Sequence, residues 1–264
     1  MNIIVTVKQV PNTHEVKIDP KTGALIREGV PSIINPEDKN AIEEALRLKK
    51  SSDDGEVTVL SMGPIQAEST LREALSMGVD RAILVSDRAF AGADTLATSY
   101  TLSMAIKKIE RYDLILCGSQ TIDGETGQVG PQLAEWLDLP QATYAEEINI
   151  QGNRVTVKSN FDSVTRVIEM KTPALITVSN RINKPRYKHM NKVLRAYRDK
   201  AVVTWSKEDL KLNPIRIGLN GSPTWVRKTF VHRHSRDGIV VEKPAANSAE
   251  DILDFILEKA LLKL

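Results

Sequence analysis

Leu114-Ile115-Leu116-Cys117-Gly118-Ser119-Gln120-Thr121-Ile122-Asp123-Gly124-Glu125-Thr126-Gly127-Gln128-Val129-Gly130-Pro131 is the stretch whose reading decides the fold. Its first four residues are continuously apolar, as a strand covered on both faces requires. A polar loop follows, and the pattern predicts a helix over Leu133–Leu137. Ligands of open parallel sheets sit outside the carboxyl ends of the strands, which is where this loop lies. Glycines let backbone approach a ligand closely, and a helix start offers N–H groups to phosphate oxygens. A plain strand-to-helix connection capped by Asp123 or Thr126 is the competing reading. The length of the loop and its three further glycines after Gly118 favour a ligand.

Working outward, the same strand–helix rhythm recurs. Ile3–Val7 is a short β-branched run, and Pro36–Lys50 carries an apolar stripe through Ala41, Ala45 and Leu48. Asn35 before Pro36 has the form of an N-cap with proline at the first helical position. Val57–Leu60, a Gly63-Pro64 turn, a helix through Leu71, Leu75 and Met77, a strand at Ala82–Val85 and a helix from Asp94 to Ile109 come next. Four strands separated by helices predict an α/β fold: a mostly parallel sheet with right-handed crossovers and helices on both faces. After Pro140 the rhythm changes. Tyr144–Ile150, Val155–Lys158 and Arg166–Met170, turning at Gln151-Gly152-Asn153, read as an antiparallel meander, and Ala174–Val178 as another buried strand. A basic stretch, Arg181–Lys200, leads into a poorly patterned region with Pro214, Gly218, Gly221 and Pro223. Ala249–Leu264 regains a helical period through Ile252, Phe255, Ile256 and Leu261. The expected organisation is an α/β ligand-binding domain over 1–180 and, over 181–264, an arm that ends in a helix and packs on something else.

Composition removes several function classes. Among 264 residues, 36 basic and 34 acidic side chains leave a formal net charge of +2, which gives no electrostatic basis for binding nucleic acid or a membrane surface. No run is long enough to cross a bilayer, and Met1–Val10 lacks the apolar stretch of a signal peptide. The single cysteine, Cys117, excludes an internal disulfide, so cytoplasm is the expected compartment. Cys117 lies in an apolar run and reads as a structural thiol. His232 and His234 have no matched further ligand and read as surface histidines, and no metal site is expected. Asp53-Asp54 and Glu146-Glu147 read as solvated charges, and no residue is expected to act as a catalytic acid, base or nucleophile. Neither the dinucleotide glycine fingerprint nor a phosphate-loop lysine motif is present, so ligand contacts would rest on backbone and hydroxyl donors. In a second segment, Ser86-Asp87-Arg88-Ala89-Phe90 through Gly92 to Ser99, Asp94 or Thr95 either caps a helix or binds a ligand; the residues alone fit both.

Several separated motifs carry a resemblance. Val7-Lys8-Gln9-Val10-Pro11, Asn35-Pro36-Glu37-Asp38, Ser61-Met62-Gly63-Pro64, Leu75-Ser76-Met77-Gly78-Val79-Asp80, the Gly118–Gly130 loop, Pro173–Val178 and Asn183-Lys184-Pro185-Arg186-Tyr187 match beta subunits of electron-transfer flavoproteins in order and spacing. The match covers nearly the whole chain. Phe161 and Ser163 depart from it, standing where acidic or glycine residues are usual. The resemblance implies an adenine-nucleotide-hydrolase-like α/β domain that pairs with a flavin-binding alpha subunit. It also implies that Thr6, Asn35, Pro36, Glu37, Asp38, Met62, Gly118, Ser119, Gln120, Thr121, Ile122, Asp123, Gly124, Glu125, Thr126, Gly127, Gln128 and Val129 line an adenine-nucleotide site.

Two branches of that family differ in the ligand: AMP as a structural plug, or a second FAD in electron-bifurcating members. Ser86-Asp87-Arg88-Ala89-Phe90 followed by Gly92-Ala93-Asp94-Thr95-Leu96-Ala97-Thr98-Ser99, together with Gly221-Ser222-Pro223-Thr224, Val226 and Phe230, is similar to the bifurcating branch and implies FAD, with Asp94, Thr95, Leu96, Ala97 and Thr98 among the residues that bind it. Bifurcation implies NADH as hydride donor, ferredoxin as one electron acceptor, and a dehydrogenase reached through the alpha-subunit FAD as the other. That dehydrogenase would be of the acyl-CoA, enoyl-CoA or 2-hydroxy-acid type. By the same resemblance Met190, flanked by Lys188, His189, Asn191 and Lys192, would anchor a recognition loop in the dehydrogenase. A non-bifurcating carrier with structural AMP and a stand-alone nucleotide-binding module remain the alternatives.

Overall fold

The apolar run at the N-terminus becomes the strand beside which the rest of the sheet is laid down. In the computed structural model, which describes residues 1–12, 17–18, 25–26, 31–50, 54–161, 164–199, 202–225 and 243–258, the chain divides into two units, Met1–Lys228 and Thr229–Leu264. The first unit begins β1 (Ile3–Thr6), β2 (Gln9–Pro11), β3 (Lys17–Ile18), β4 (Leu25–Ile26), β5 (Ser32–Ile34), α1 (Pro36–Lys50), β6 (Val57–Met62), α2 (Glu68–Met77) and β7 (Arg81–Val85). It continues α3 (Thr95–Ile109), β8 (Leu114–Gly118), α4 (Val129–Leu137), β9 (Gln141–Gln151), β10 (Arg154–Phe161), β11 (Val164–Lys171), β12 (Ala174–Val178), α5 (Met190–Arg198) and β13 (Val203–Trp205).

Nine strands form one sheet in the order β11-β10-β9-β12-β8-β1-β6-β7-β13. Every pairing is parallel except the two that β10 makes with β9 and β11. The predicted α/β fold is therefore the observed one. Side chains alternate across the central strands: Ile3, Val5, Val57, Val59, Leu114 and Leu116 join α1 and α2 in one core, and Ile4, Leu60, Ile83, Ile115 and Cys117 join α3 and α4 in the other. Both faces are covered, which is why these strands read as unbroken apolar runs. At the antiparallel end one face is open, and β10 shows the alternating burial of a half-buried strand through Val155, Val157 and Ser159. Gly152, with φ 60°, makes the two-residue turn between β9 and β10.

The division between units differs from the boundary expected at 180/181. Helix α5 lies on α2: Arg72 donates to the Ala196 carbonyl at 2.7 Å and stacks over the Tyr197 ring. Strand β13 extends the sheet beside β7. In the second unit the described residues form α6 (Ala245–Glu258), four residues ahead of the expected start, with Ile252, Leu253, Phe255 and Leu257 exposed. Asp53, Ser163, Val226, Phe230, His232, His234 and Leu261 lie outside the described residues.

Candidate functional site

Strand order reverses beside β1. The chain passes from β1 to β6 and β7 on one side, then returns to β8 on the other, so the carboxyl ends of β1 and β8 part at a topological switch point. The first turn of α1 fills the gap. Asp38, 5% exposed, accepts from the Lys8 amide at 2.8 Å through Oδ2 and from the Gly118 amide at 3.1 Å through Oδ1. Burial pushes its carboxyl up to about 7, against hydrogen bonds from the Lys8 amide, the Asn35 side chain and the Gly118 amide that pull it down. Asn35, fully buried, donates to the Gln120 carbonyl at 2.9 Å and accepts from the Ile122 amide at 3.2 Å. Glu37 accepts from the Ser119 hydroxyl at 2.5 Å and the Gln120 amide at 2.8 Å. The Lys8 ammonium meets Asp123 at 2.8 Å. One turn of helix thus grips the start of the loop after β8.

A cavity of about 1140 Å³ opens at these strand ends. Of the residues that the resemblance assigned to the ligand, Thr6, Asp38, Met62, Asp94, Thr95, Thr98, Gly118, Ser119, Gln120, Thr121, Gly124, Thr126, Gly127, Gln128 and Val129 line it. Asn35, Pro36, Glu37, Leu96, Ala97, Ile122, Asp123 and Glu125 are not in its wall. The amides of Leu96 and Ala97, which the resemblance implies as cofactor-binding residues, both donate to Asp94 Oδ1 at 3.0 Å. Asp94 is thus the N-cap of α3, and it also lines the cavity. Cys117 is buried, and burial pushes its thiol up to about 12, as suits a packing residue. Among the described residues no cluster of side chains is arranged to hold a metal ion, and no helix is long and apolar enough to cross a membrane.

Comparison with known proteins places this geometry in a family. Residues 22–210 match the electron transfer flavoprotein domain. Over 259 residues, covering 98% of this chain and 99% of the other, the sequence is 48% identical to the electron transfer flavoprotein subunit beta of Clostridium acetobutylicum. The chain belongs to the electron transfer flavoprotein beta-subunit family. It is also 50% identical over 230 residues, 87% of each chain, to the caffeyl-CoA reductase-Etf complex subunit CarD of Acetobacterium woodii. With the acryloyl-CoA reductase electron transfer subunit gamma of Anaerotignum propionicum it shares 42% over 270 residues, 99% of this chain and 100% of the other.

Within this electron transfer flavoprotein subunit Arg88 and Phe90, part of the second segment that the sequence singles out, lie in the cavity wall on a single 3-10 turn. Other features escaped the sequence reading. Tyr144 has a left-handed backbone, φ 55°, where β9 slips register against β12, two residues before its slip against β10 at Glu146. Such a bulge re-aims a side chain, and the Tyr144 hydroxyl lies 3.1 Å from where a Cβ on Gly127 would stand. Met190 was read as sitting alone in a polar loop. It begins α5 and is 72% exposed, with Leu194 and Tyr197 also exposed at helical spacing behind it. Two of the basic neighbours expected to face a partner are engaged within the chain, Lys188 with Glu73 at 3.3 Å and Lys192 with the Met77 carbonyl at 3.4 Å.

Proposed function

We propose that this chain is the FAD-holding beta subunit of an electron-bifurcating flavoprotein heterodimer, active only as part of its complex. The observation that carries the reading is the extent of the cavity. It runs from the Gly118–Gly130 loop past β1 to Ser86–Thr95 and Thr98, on both sides of the switch point. At about 1140 Å³ it exceeds the roughly 300–1,000 Å³ of pockets for drug-sized ligands, room suited to a dinucleotide more than to AMP. Its wall fits an adenine dinucleotide in chemistry as well: hydroxyls from Thr95, Thr98, Thr121 and Thr126, glycine backbone at Gly118, Gly124 and Gly127, and the Arg88 guanidinium.

FAD, when bound, would supply acceptance of a hydride from NADH and delivery of single electrons, one to ferredoxin and one by way of the alpha-subunit FAD to a dehydrogenase. The residues of this chain position that group and exclude water, and none acts as acid or base. The names of the reductase-complex relatives favour a partner acting on CoA thioesters over a 2-hydroxy-acid dehydrogenase. Met190 and the exposed face of α5 would dock that partner, and α6, with its exposed apolar residues, would pack on the alpha subunit. Cytoplasm is the compartment that fits a lone, buried cysteine.

Purifying the heterodimer with its alpha subunit and quantifying the ligands released on denaturation tests this reading. Two FAD per heterodimer are expected. One FAD with one AMP would replace it with the carrier reading.

A further inference from the structure

We propose that Asp38 is a positioning residue: by accepting the Lys8 and Gly118 amides with its two carboxylate oxygens, it fixes the separation of the β1 and β8 ends on which the nucleotide sits. This inference rests on the cavity being the nucleotide site.

The geometry is specific. Past the paired residues Val5 and Leu116, the two strands no longer bond to each other in this direction, and β1 continues toward β6 through the Val7 amide and the Leu60 carbonyl at 2.9 Å. Two amides are left at the switch point, and a single buried side chain takes both. Gly118 is shaped to the same contact, since a Cβ there would overlap Asp38 Oδ1 and lie 3.0 Å from the Asp38 nitrogen.

The two amides approach different oxygens of Asp38, Lys8 on Oδ2 and Gly118 on Oδ1, so both oxygens must accept. A protonated carboxyl has one good acceptor and one hydroxyl, and the hydroxyl oxygen is a poor acceptor for an amide. Burial favours the protonated form, while the amides favour the carboxylate. The charged and titratable groups around Asp38 are Glu37 on its own turn, Lys8 at the end of β1, Cys117 on β8 and Asp123 in the loop. The Lys8 ammonium is engaged with Asp123, and the Cys117 thiol is pushed far above neutrality. The Asp38 carboxyl, raised by burial to about 7, changes charge near neutral pH.

The test uses the heterodimer stripped of its beta-site ligand and dialysed to equilibrium against radiolabelled AMP or radiolabelled FAD between pH 5.5 and 8.5. For the wild type, the dissociation constant of whichever probe binds should be flat above about pH 7.5. Below neutrality it should rise by up to about tenfold per pH unit, the limit for one linked proton. Asp38→Asn should bind weakly with no slope across the range. A wild-type constant that stays flat from pH 5.5 to 8.5 would overturn the proposal without reference to the variant. So would Asp38→Asn reproducing the wild-type slope. Binding of neither probe to the wild type at any pH would overturn the site assignment, and this proposal with it.

Discussion

Asp94 and Thr224 are joined twice: the Thr224 hydroxyl donates to Asp94 Oδ2 at 2.8 Å and the Thr224 amide donates to the same oxygen at 3.1 Å. The other oxygen of Asp94 caps α3, and its own amide donates to the Ser222 hydroxyl at 2.8 Å. A wall residue of the cavity is thereby tied to a segment 130 positions later. Asp94→Ala should lose the cap, worth about 1 kcal/mol, and release this segment as well. Thermal melting should fall by roughly 2–4 °C for each kcal/mol lost in a protein of this size. Thr224→Val should add little in the Asp94→Ala background, because both changes break one contact.

Acid should loosen the same contact. For Asp94 burial acts to raise the carboxyl, and the Ala97, Thr224 and Leu96 donors outweigh it and hold it below its ordinary value of 3.8. Asp123 is likewise lowered: burial acts to raise it, and Lys8, Thr121 and its own backbone amide together outweigh that. A lowered carboxyl contributes stability that is present above its unfolded value and lost as pH falls through its folded one. Asp38 has the opposite sign: its contribution is complete below 3.8 and is lost as pH rises through about 7. Denaturant midpoints of ligand-free protein from pH 4.5 to 8 should fall for the wild type and stay level for Asp38→Asn.

Gly118→Ala should behave as a site mutation rather than a surface one. The added methyl would press on Asp38 Oδ1 and on Glu37 Cβ, 3.0 Å away, so the turn of α1 has to shift. A destabilisation of roughly 1–3 kcal/mol is expected from such overpacking. The purified complex should carry less beta-site ligand, measured against Gly152→Ala, a control that its φ of 60° also strains but that lies outside the cavity wall.

Cys117 should resist thiol reagents in the native state. It is 4% exposed, and its thiol is raised to about 12, so very little thiolate exists at pH 8. Labelling by a maleimide should follow global unfolding, and addition of denaturant should release one reactive thiol per chain.

Met190→Glu should slow electron transfer to the dehydrogenase by roughly tenfold, the equivalent of about 1.4 kcal/mol at the docking face. Reduction of bound flavin by NADH should be unchanged. Equal transfer rates in stopped-flow assays would remove α5 from the docking surface.

Elements packed into the two cores were legible because an unbroken apolar run in a strand, or an apolar stripe in a helix, leaves one placement. Ala174–Val178 and Pro36–Lys50 have the predicted bounds, and Asp94 caps the predicted helix. Elements that lean on only one neighbour were not. The apolar residues of α5 point mainly to solvent, so Met190–Arg198 shows no core-facing stripe, and β13 is three residues long. The site was legible as a set of strand ends, whereas roles within it depend on pairings far apart in sequence. Asn35, Glu37 and Asp38 form one motif, but only their partners 80 and more residues away separate a residue that lines the cavity from two that hold its wall. Tyr144 gave no local sign of its left-handed backbone, which arises where a strand switches from a parallel to an antiparallel neighbour.

The position of β12 carries a consequence for how the polypeptide assembles during synthesis. It lies between β8 and β9, both of which leave the ribosome before it. Until Ala174–Val178 emerges, the antiparallel meander has no hydrogen-bonded link to the parallel strands, and the edges of β8 and β9 are unpaired. The last parallel strand to be inserted in this half of the sheet is also the one whose Val178 carbonyl accepts the Ser119 amide at 2.9 Å. The Gly118–Gly130 loop therefore takes its final shape only when about two-thirds of the chain has been made, and the wall of the cavity is completed late.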